Sequence, residues 1–347
     1  MTDSQLVLRS PGGGISLRFS RRVLVLIAAL LAGLAAIGVW ALTLGELGLA
    51  PMEVLSMLLG QGEGPAAFIV NGVRLPRLLT GAVAGFGLGI AGACFQRTVR
   101  NPLASPDILG ISAGASLGAV VVIVLDLPML LMGPVAALAA LATAAFVLTV
   151  GHRGTDPAAR TILVGIGAGA FITGIVSFAM IRADANLDAE RIYRYTTGSL
   201  GLTNWLDWNT ALIGVAVLVP IVLLLERRLL ALELGDDLSG GLGFEAGRTS
   251  LLVLATASLL AGTMIAASGP IGFVALVAPH ATRAFIGRLS GGGVIVAGLL
   301  GALMLTVSDM IGQHVFPVQL PAGAITAVIG APYFVLLLVQ GARRGRL

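Results

Sequence analysis

Lysine is absent from this chain: all 21 basic residues among its 347 are arginine. A P-loop nucleotide site needs a lysine on the phosphates, so the chain carries no Walker A loop of its own. Schiff-base chemistry and a retinal linkage also need a lysine amine. The single cysteine, Cys94, excludes an intrachain disulfide and leaves the redox compartment unread. Charge is scarce at 11% of residues, against roughly a quarter in soluble domains. Aromatics make up 5%. The formal net charge of +4 is no nucleic-acid signal, because the arginines are dispersed between apolar stretches rather than gathered on one face. The histidines, His152, His280 and His314, are far apart in sequence, and no His-Glu-x-x-His occurs, so a zinc-protease reading has no support.

What the chain does contain is apolar. Hydrophobic residues are 57% of it, and glycine numbers 48. A chain this poor in charge cannot cover a water-facing surface, whereas glycine suits close helix contacts in a bilayer. A hydrocarbon core about 30 Å thick needs roughly 20 apolar residues of helix. Ten segments approach that: 23–44, 78–96, 107–125, 129–150, 161–181, 209–225, 249–268, 271–287, 294–312 and 322–340. The eighth is short and contains Pro279. The expected fold is an all-α polytopic membrane protein of about ten transmembrane helices. Residues 1–22 form a cytoplasmic N-terminal segment and residues 23–347 a single transmembrane domain with no linker. The first span is longer than the apolar stretch of about 7–15 residues in a secretory signal peptide, so it reads as a retained anchor. The Arg21-Arg22 pair before it reads as a positive-inside cluster rather than a twin-arginine signal.

Arginine placement sets the orientation. With the N-terminus inside and ten alternating spans, 16 of the 21 arginines fall on the inner side. The outer five are Arg74, Arg77, Arg182, Arg191 and Arg194. This agrees with the positive-inside rule and puts both termini in the cytoplasm. Asp309 is the one acidic residue in the interior of a predicted span, Asp107 standing at the first position of the third.

Small residues recur every fourth position at Gly81, Gly85 and Gly89, at Gly110, Gly114 and Gly118, and at Gly165 and Gly169. Each stripe gives its helix a flat face for close packing. Residues 84–110 laid on residues 261–287 match at six positions, among them Pro102 with Pro279. An offset of five spans would mean an inverted repeat of the kind many transporters carry; in a chain rich in glycine and alanine, chance explains six matches equally well.

Two catalytic patterns lack their context. Gly87 to Gly92 fits G-x-G-x-x-G, but no strand precedes it, so it reads as helix packing. Gly110-Ile-Ser-Ala-Gly114 fits the nucleophile elbow G-x-S-x-G, which with His280 or His314 would suggest an intramembrane serine protease. The strand–turn–helix setting of that elbow is missing. The stretch 226–248 is the longest polar segment on the inner side. Asp236 and Asp237 lie within its glycine-rich half, between Gly235 and Gly243. It reads either as a solvated connector or as a docking element for a cytoplasmic partner.

Several motifs in order carry a resemblance. They are Arg74-Leu-Pro-Arg77, the run from Gln96 to Gly110, Leu234 to Gly243, Gly269 to His280, Ser308-Asp309, and Leu320 to Pro332. On these the chain resembles the permeases of the iron-siderophore, haem and vitamin B12 ABC importers, over most of its length from Arg74 onward. The resemblance implies a type II ABC importer permease fold. It implies a subunit that pairs with itself or a homologue, joined by two cytoplasmic ATPase subunits and an extracytoplasmic substrate-binding protein. ATP and magnesium would sit on the partner subunits, with no cofactor bound directly and no enzymatic site in this chain. Arg74 and Arg77 inherit the docking of the binding protein. Gly235, Asp236, Asp237, Leu242 and Gly243 inherit the ATPase contact, and Asn101 and Leu103 a place near the inner gate. Ser239 stands where the family often has alanine, and Gln313 where B12-type members carry a third docking arginine.

In detail the segments 233–237, 275–280 and 319–321 look closest to ferric-enterobactin-type permeases. The implied cargo is a ferric siderophore of catecholate type, with haem or vitamin B12 as the alternative, and the implied location is the bacterial cytoplasmic (inner) membrane. A secondary transporter remains the rival outside this family. Such carriers usually place ionisable groups at mid-membrane, and Asp309 is the candidate here.

Overall fold

The structure, a computed structural model, describes residues 5–9, 16–45, 48–62, 64–151, 157–182, 188–241, 243–287, 289 and 292–343. Strands β1 (Gln5–Arg9) and β2 (Ser16–Ser20) pair antiparallel ahead of the helices, with Gln5 opposite Ser20. Nothing in residues 1–22 announces this hairpin, because strands of five residues are too short for a strong period-two pattern. Ser20 ends β2 and caps the first helix, its Oγ accepting from the Val23 N–H at 3.3 Å.

The helices follow in chain order. They are α1 (Arg21–Thr43), α2 (Pro51–Leu58), α3 (Pro65–Phe68), α4 (Leu75–Thr98), α5 (Ile111–Val124), α6 (Met132–Gly151) and α7 (Pro157–Arg182). Then come α8 (Asp188–Thr197), α9 (Trp205–Glu233), α10 (Asp236–Gly241), α11 (Ala246–Ser268), α12 (Val274–Ile286), α13 (Gly293–His314) and α14 (Ala322–Arg343). A π-helical stretch, Ile69–Arg74, fuses α3 and α4 into one rod from Pro65 to Thr98.

Each of the ten predicted spans appears as a helix. Among the described residues seven helices are long and apolar enough to cross a membrane, and three shorter apolar ones are Ile111–Val124, Val274–Ile286 and Ala322–Leu337. At 1.5 Å per residue α5 and α12 reach only about 20 Å, short of a 30 Å core. Each begins inside the protein, after a non-helical approach. Residues 99–110 lead into α5 and residues 269–273 into α12, and each helix opens on a residue with left-handed backbone: Gly110 at φ 70 and Phe273 at φ 67. Non-helical backbone at membrane depth survives only where protein or a cavity satisfies it. The 99–110 approach satisfies much of its own: Asn101 N–H donates to Gln96 O, Ala104 N–H to Asn101 O, and Ile111 N–H to Pro106 O. Gly110 then packs against the backbone of Gly165 and Gly169 on α7.

Lipid tails are as apolar as leucine, so side-chain hydrophobicity alone does not hold helices together in a bilayer. Close contact and polar links do. Helix α4 is the hub, with Leu88, Ile90 and Phe95 almost fully buried. Gly85 and Gly89 meet the backbone of Gly301, Ala302 and Ala297 on α13, and Gly92 meets Ala275 on α12. Gly114 and Gly118 seat α5 on α6 at Thr143, Ala139 and Val135. The predicted glycine stripes are therefore packing faces.

The bundle has two ends. Val23 of α1 clusters with Val296 of α13 and Ile286 of α12. That end, called here the terminal face, also holds the last turns of α4 and α9. The far face carries the end of α1, the start of the Pro65–Thr98 rod and the end of α13. The matching proposed between residues 84–110 and 261–287 does not hold in register, because Pro102 lies in the approach to α5 while Pro279 lies inside α12. The correspondence that the structure does display pairs Gly110 with Phe273, each opening a short helix.

Candidate functional site

A cavity of about 1140 Å³ opens where the two short helices begin. The 99–110 approach supplies much of its wall, α7 contributes Gly165 and Ile166, and the first turns of α11 contribute Gly247 and Ser250. Phe273 stands at its edge. Asn101 and Leu103 both line it, and the Asn101 Oδ1 accepts from the Leu103 N–H at 2.9 Å. That bond fixes the tight turn at the entry to the approach. Asp107 is the carboxylate of the wall. Its Oδ1 accepts from Ser112 Oγ at 2.5 Å, and the carboxylate faces the backbone N–H of Phe273. The carboxyl group sits where two helices begin, next to their unpaired N-terminal N–H groups, so Asp107 joins α5 to α12.

The terminal face holds a buried ion cluster. Arg97 in the last turn of α4 sends Nη1 to both Glu226 oxygens on α9, at 2.9 and 2.8 Å. Its Nε donates to Glu233, two helical turns further along α9, and Nη1 also reaches Leu289 O at 3.2 Å. The Arg97 side chain is 2% exposed and that of Glu226 6%, whereas Glu233 keeps 33%. Beside it Gln96 accepts from Arg283 of α12 at 2.9 Å and donates to Leu276 O at 3.0 Å. Three helix ends are thereby tied together.

Glu233 is the last residue of α9, and the predicted coupling stretch follows at once. Gly235, at φ 105, turns the chain; Asp236 and Asp237 open α10; Gly243, at φ 83, turns it again toward α11. Leu242 lies outside the described residues. Ser239 is buried, and its N–H bonds to Gly235 O at 2.9 Å. The polar stretch 226–248, read from sequence as either a solvated connector or a docking element, thus holds the end of α9, the short helix α10 between two glycines of positive φ, and the start of α11. The structure places it on the terminal face, beside the Arg97 cluster.

Arg74 and Arg77 lie at the opposite end and point to different neighbours. Arg74 donates from Nη1 to Leu42 O at the end of α1, at 2.8 Å. Arg77 forms a two-pronged pair with Asp309 on α13, Nε to Oδ2 at 2.9 Å and Nη2 to Oδ1 at 2.8 Å. Gln313 adds a bond to Asp309 at 2.7 Å. The three positions singled out by the resemblance, 74, 77 and 313, therefore share one end of the molecule, and the intramembrane carboxylate is paired.

Sequence reasoning missed the Arg97 cluster. Its one local signal was the spacing of Glu226 and Glu233, seven residues apart and so on one face of a helix. The protease alternative finds no geometry. The Ser112 hydroxyl bonds to a carboxylate, His280 Nδ1 meets the Tyr333 hydroxyl at 2.5 Å, and His314 sits at the end of α13. His152 lies outside the described residues. Among the described residues no group of three or more His, Cys, Asp or Glu is placed to hold a metal.

This multi-pass helical body, with two short helices opening onto a cavity and α10 packed between α9 and α11, is that of an ABC transporter permease subunit. A solved metal-chelate type ABC transporter, in an inward-facing conformation, shares this fold at a TM-score of 0.76 and 25% identity, covering 90% of this chain and 98% of that one. The chain belongs to the FecCD transport family, whose model matches residues 30–340. Among its relatives, the Fe(3+)-citrate import system permease protein YfmE of Bacillus subtilis is 36% identical over 94% of this chain and 98% of its own length. The ferric enterobactin transport system permease protein FepG of Escherichia coli is 33% identical over 94% and 98%.

Proposed function

We propose that this chain forms half of the pathway of an ATP-driven importer for ferric siderophores of catecholate type, in the bacterial inner membrane with both termini cytoplasmic. The observation that carries this reading is the cavity. At about 1140 Å³ it exceeds the roughly 300–1,000 Å³ of ordinary small-molecule pockets, and its wall is mainly apolar and small. A bulky anionic chelate passes such a wall without being trapped, whereas a ring of arginines would hold it. Relatives named for ferric enterobactin and Fe(3+)-citrate support an iron chelate as cargo.

In this reading a second permease subunit of the same family completes the pathway, and residues 99–110, with Asn101 and Leu103, form its inner gate. Energy comes from two separate ATPase subunits that bind ATP and magnesium and push on α10 and its flanks, from Gly235 to Gly243. An extracytoplasmic binding protein docks at the far face around Arg74 and Arg77. Deleting the chain and following uptake of labelled ferric catecholate, ferric citrate, haem and cobalamin tests the cargo. Loss of ferric catecholate uptake is expected. Loss confined to haem or cobalamin would reject the siderophore and keep the importer.

A further inference from the structure

We propose that Arg97 is the positioning residue that carries movement of α10 to the cavity wall, with Glu226 as its fixed anchor and Glu233 as its exchangeable contact. The inference rests on the reading of α10 as the ATPase contact. It starts from connectivity. Helix α10 packs mainly on its neighbours in the chain, α9 and α11, so a push on it enters the body chiefly through those helices. On the α9 side, only Leu234 and Gly235 separate α10 from Glu233, the last residue of α9. Glu233 is held by Arg97. Arg97 in turn precedes Thr98, the first residue of the 99–110 side to line the cavity. Among the described residues the ion pairs that join α9 to α4 are both made by Arg97, with Glu226 and with Glu233.

The two carboxylates differ in what breaking them costs. Arg97 and Glu226 are both buried, at 2% and 6% exposed. Separating them strands a charge away from water, which is strongly unfavourable. Glu233 keeps 33% exposure, so water can take the place of Arg97 on that carboxylate, and because Arg97 then keeps its Glu226 partner, this contact costs less to break than the fully buried one. The cluster is therefore a pivot with one firm side and one that yields. Arg283, which also faces the Glu233 charge and bonds to Gln96, carries the same shift to α12, the helix whose start borders the cavity.

The test uses the whole complex, purified with its own ATPase subunits and reconstituted in liposomes, with labelled ferric catecholate and the binding protein. Transport and ATP hydrolysis are read together. Glu233→Gln keeps the shape and removes the charge. The expected result is normal assembly, ATP hydrolysis within twofold of wild type and transport per ATP lowered roughly fivefold or more, as for a lost coupling contact of about 1 kcal/mol. Glu233→Asp should restore much of that ratio. An unchanged ratio in Glu233→Gln would overturn the assignment. So would a parallel fall in transport, hydrolysis and assembly, which is what a purely structural ion pair produces. If the wild-type chain brings down no ATPase at all, the importer reading fails, and the assignment of Arg97 with it.

Discussion

Glu226 illustrates how a membrane helix carries a charge. Its carboxylate lies near the end of α9, and both of its oxygens meet one guanidinium nitrogen of Arg97. Removing one partner of a buried pair costs about 3–5 kcal/mol, because the remaining charge stays buried. Glu226→Gln should therefore lower the thermal stability of the detergent-purified protein markedly, whereas Glu233→Gln, at the wetter end of the same cluster, should shift it little. Thermal unfolding followed by size-exclusion chromatography checks both. The sequence could not reveal this pair. Arg97 reads as one more inner-side arginine, and its partners are 129 and 136 residues away. Asp309 was legible as an unusual intramembrane acid, but its partner Arg77 lies 232 residues earlier. Spacing along one helix is visible in a sequence; pairing between helices is not.

At the scale of elements, composition made the ten helices legible, and four-residue glycine spacing made their packing faces legible. Both are local periodicities. The truncated starts of α5 and α12 were not legible, since an apolar run looks the same whether its first turns are helical or extended. Glycine packing leads to a paired prediction. A Cβ on Gly89 would meet the α13 backbone, with Ala297 C at 2.9 Å, whereas Gly167 on α7 has nothing within 4 Å. Gly89→Leu should cost about 1–3 kcal/mol or more through overpacking, and Gly167→Leu almost nothing, as read from the melting temperatures of the two proteins. Helix α10 is governed by backbone geometry instead. Gly243 sits at φ 83, and proline is locked near φ −65°. Gly243→Pro should misplace α10 and abolish ATP-driven uptake while membrane insertion stays normal, checked by transport alongside membrane fractionation.

At the scale of the whole molecule, the two ends differ in chemistry. With 16 of 21 arginines assigned to the inner side from sequence, a reporter fused after Leu347 or near Gly240 should give a cytoplasmic signal. An extracytoplasmic signal at either would overturn the ten-span orientation. The arrangement within each end came only from the structure: a short helix hung beside an ion cluster at one end, and arginines held by neighbouring helices at the other.

Docking at the far face can now be tested with a variant that the structure makes interpretable. Reversing Arg77 would set its new carboxylate against Asp309, now paired with Arg77, so lost docking could come from local repulsion. Arg74 is cleaner. Its bond runs to the Leu42 carbonyl at the end of α1, a neutral group rather than a carboxylate, and its side chain is only half-buried. Guanidinium groups pair well with carboxylates, and an exposed pair weakens as salt screens it, with a Debye length of about 8 Å at physiological ionic strength. If Arg74 meets an acidic group of the binding protein, Arg74→Glu should weaken docking roughly tenfold, a change of about 1.4 kcal/mol, and flatten its dependence on salt. Gln313→Arg adds a cation beside Asp309 and should strengthen docking and steepen that dependence. Affinities of the detergent-purified permease complex for its binding protein across a salt series read both. Equal affinity and equal salt slope in wild type and Arg74→Glu would assign this arginine to anchoring α1 instead.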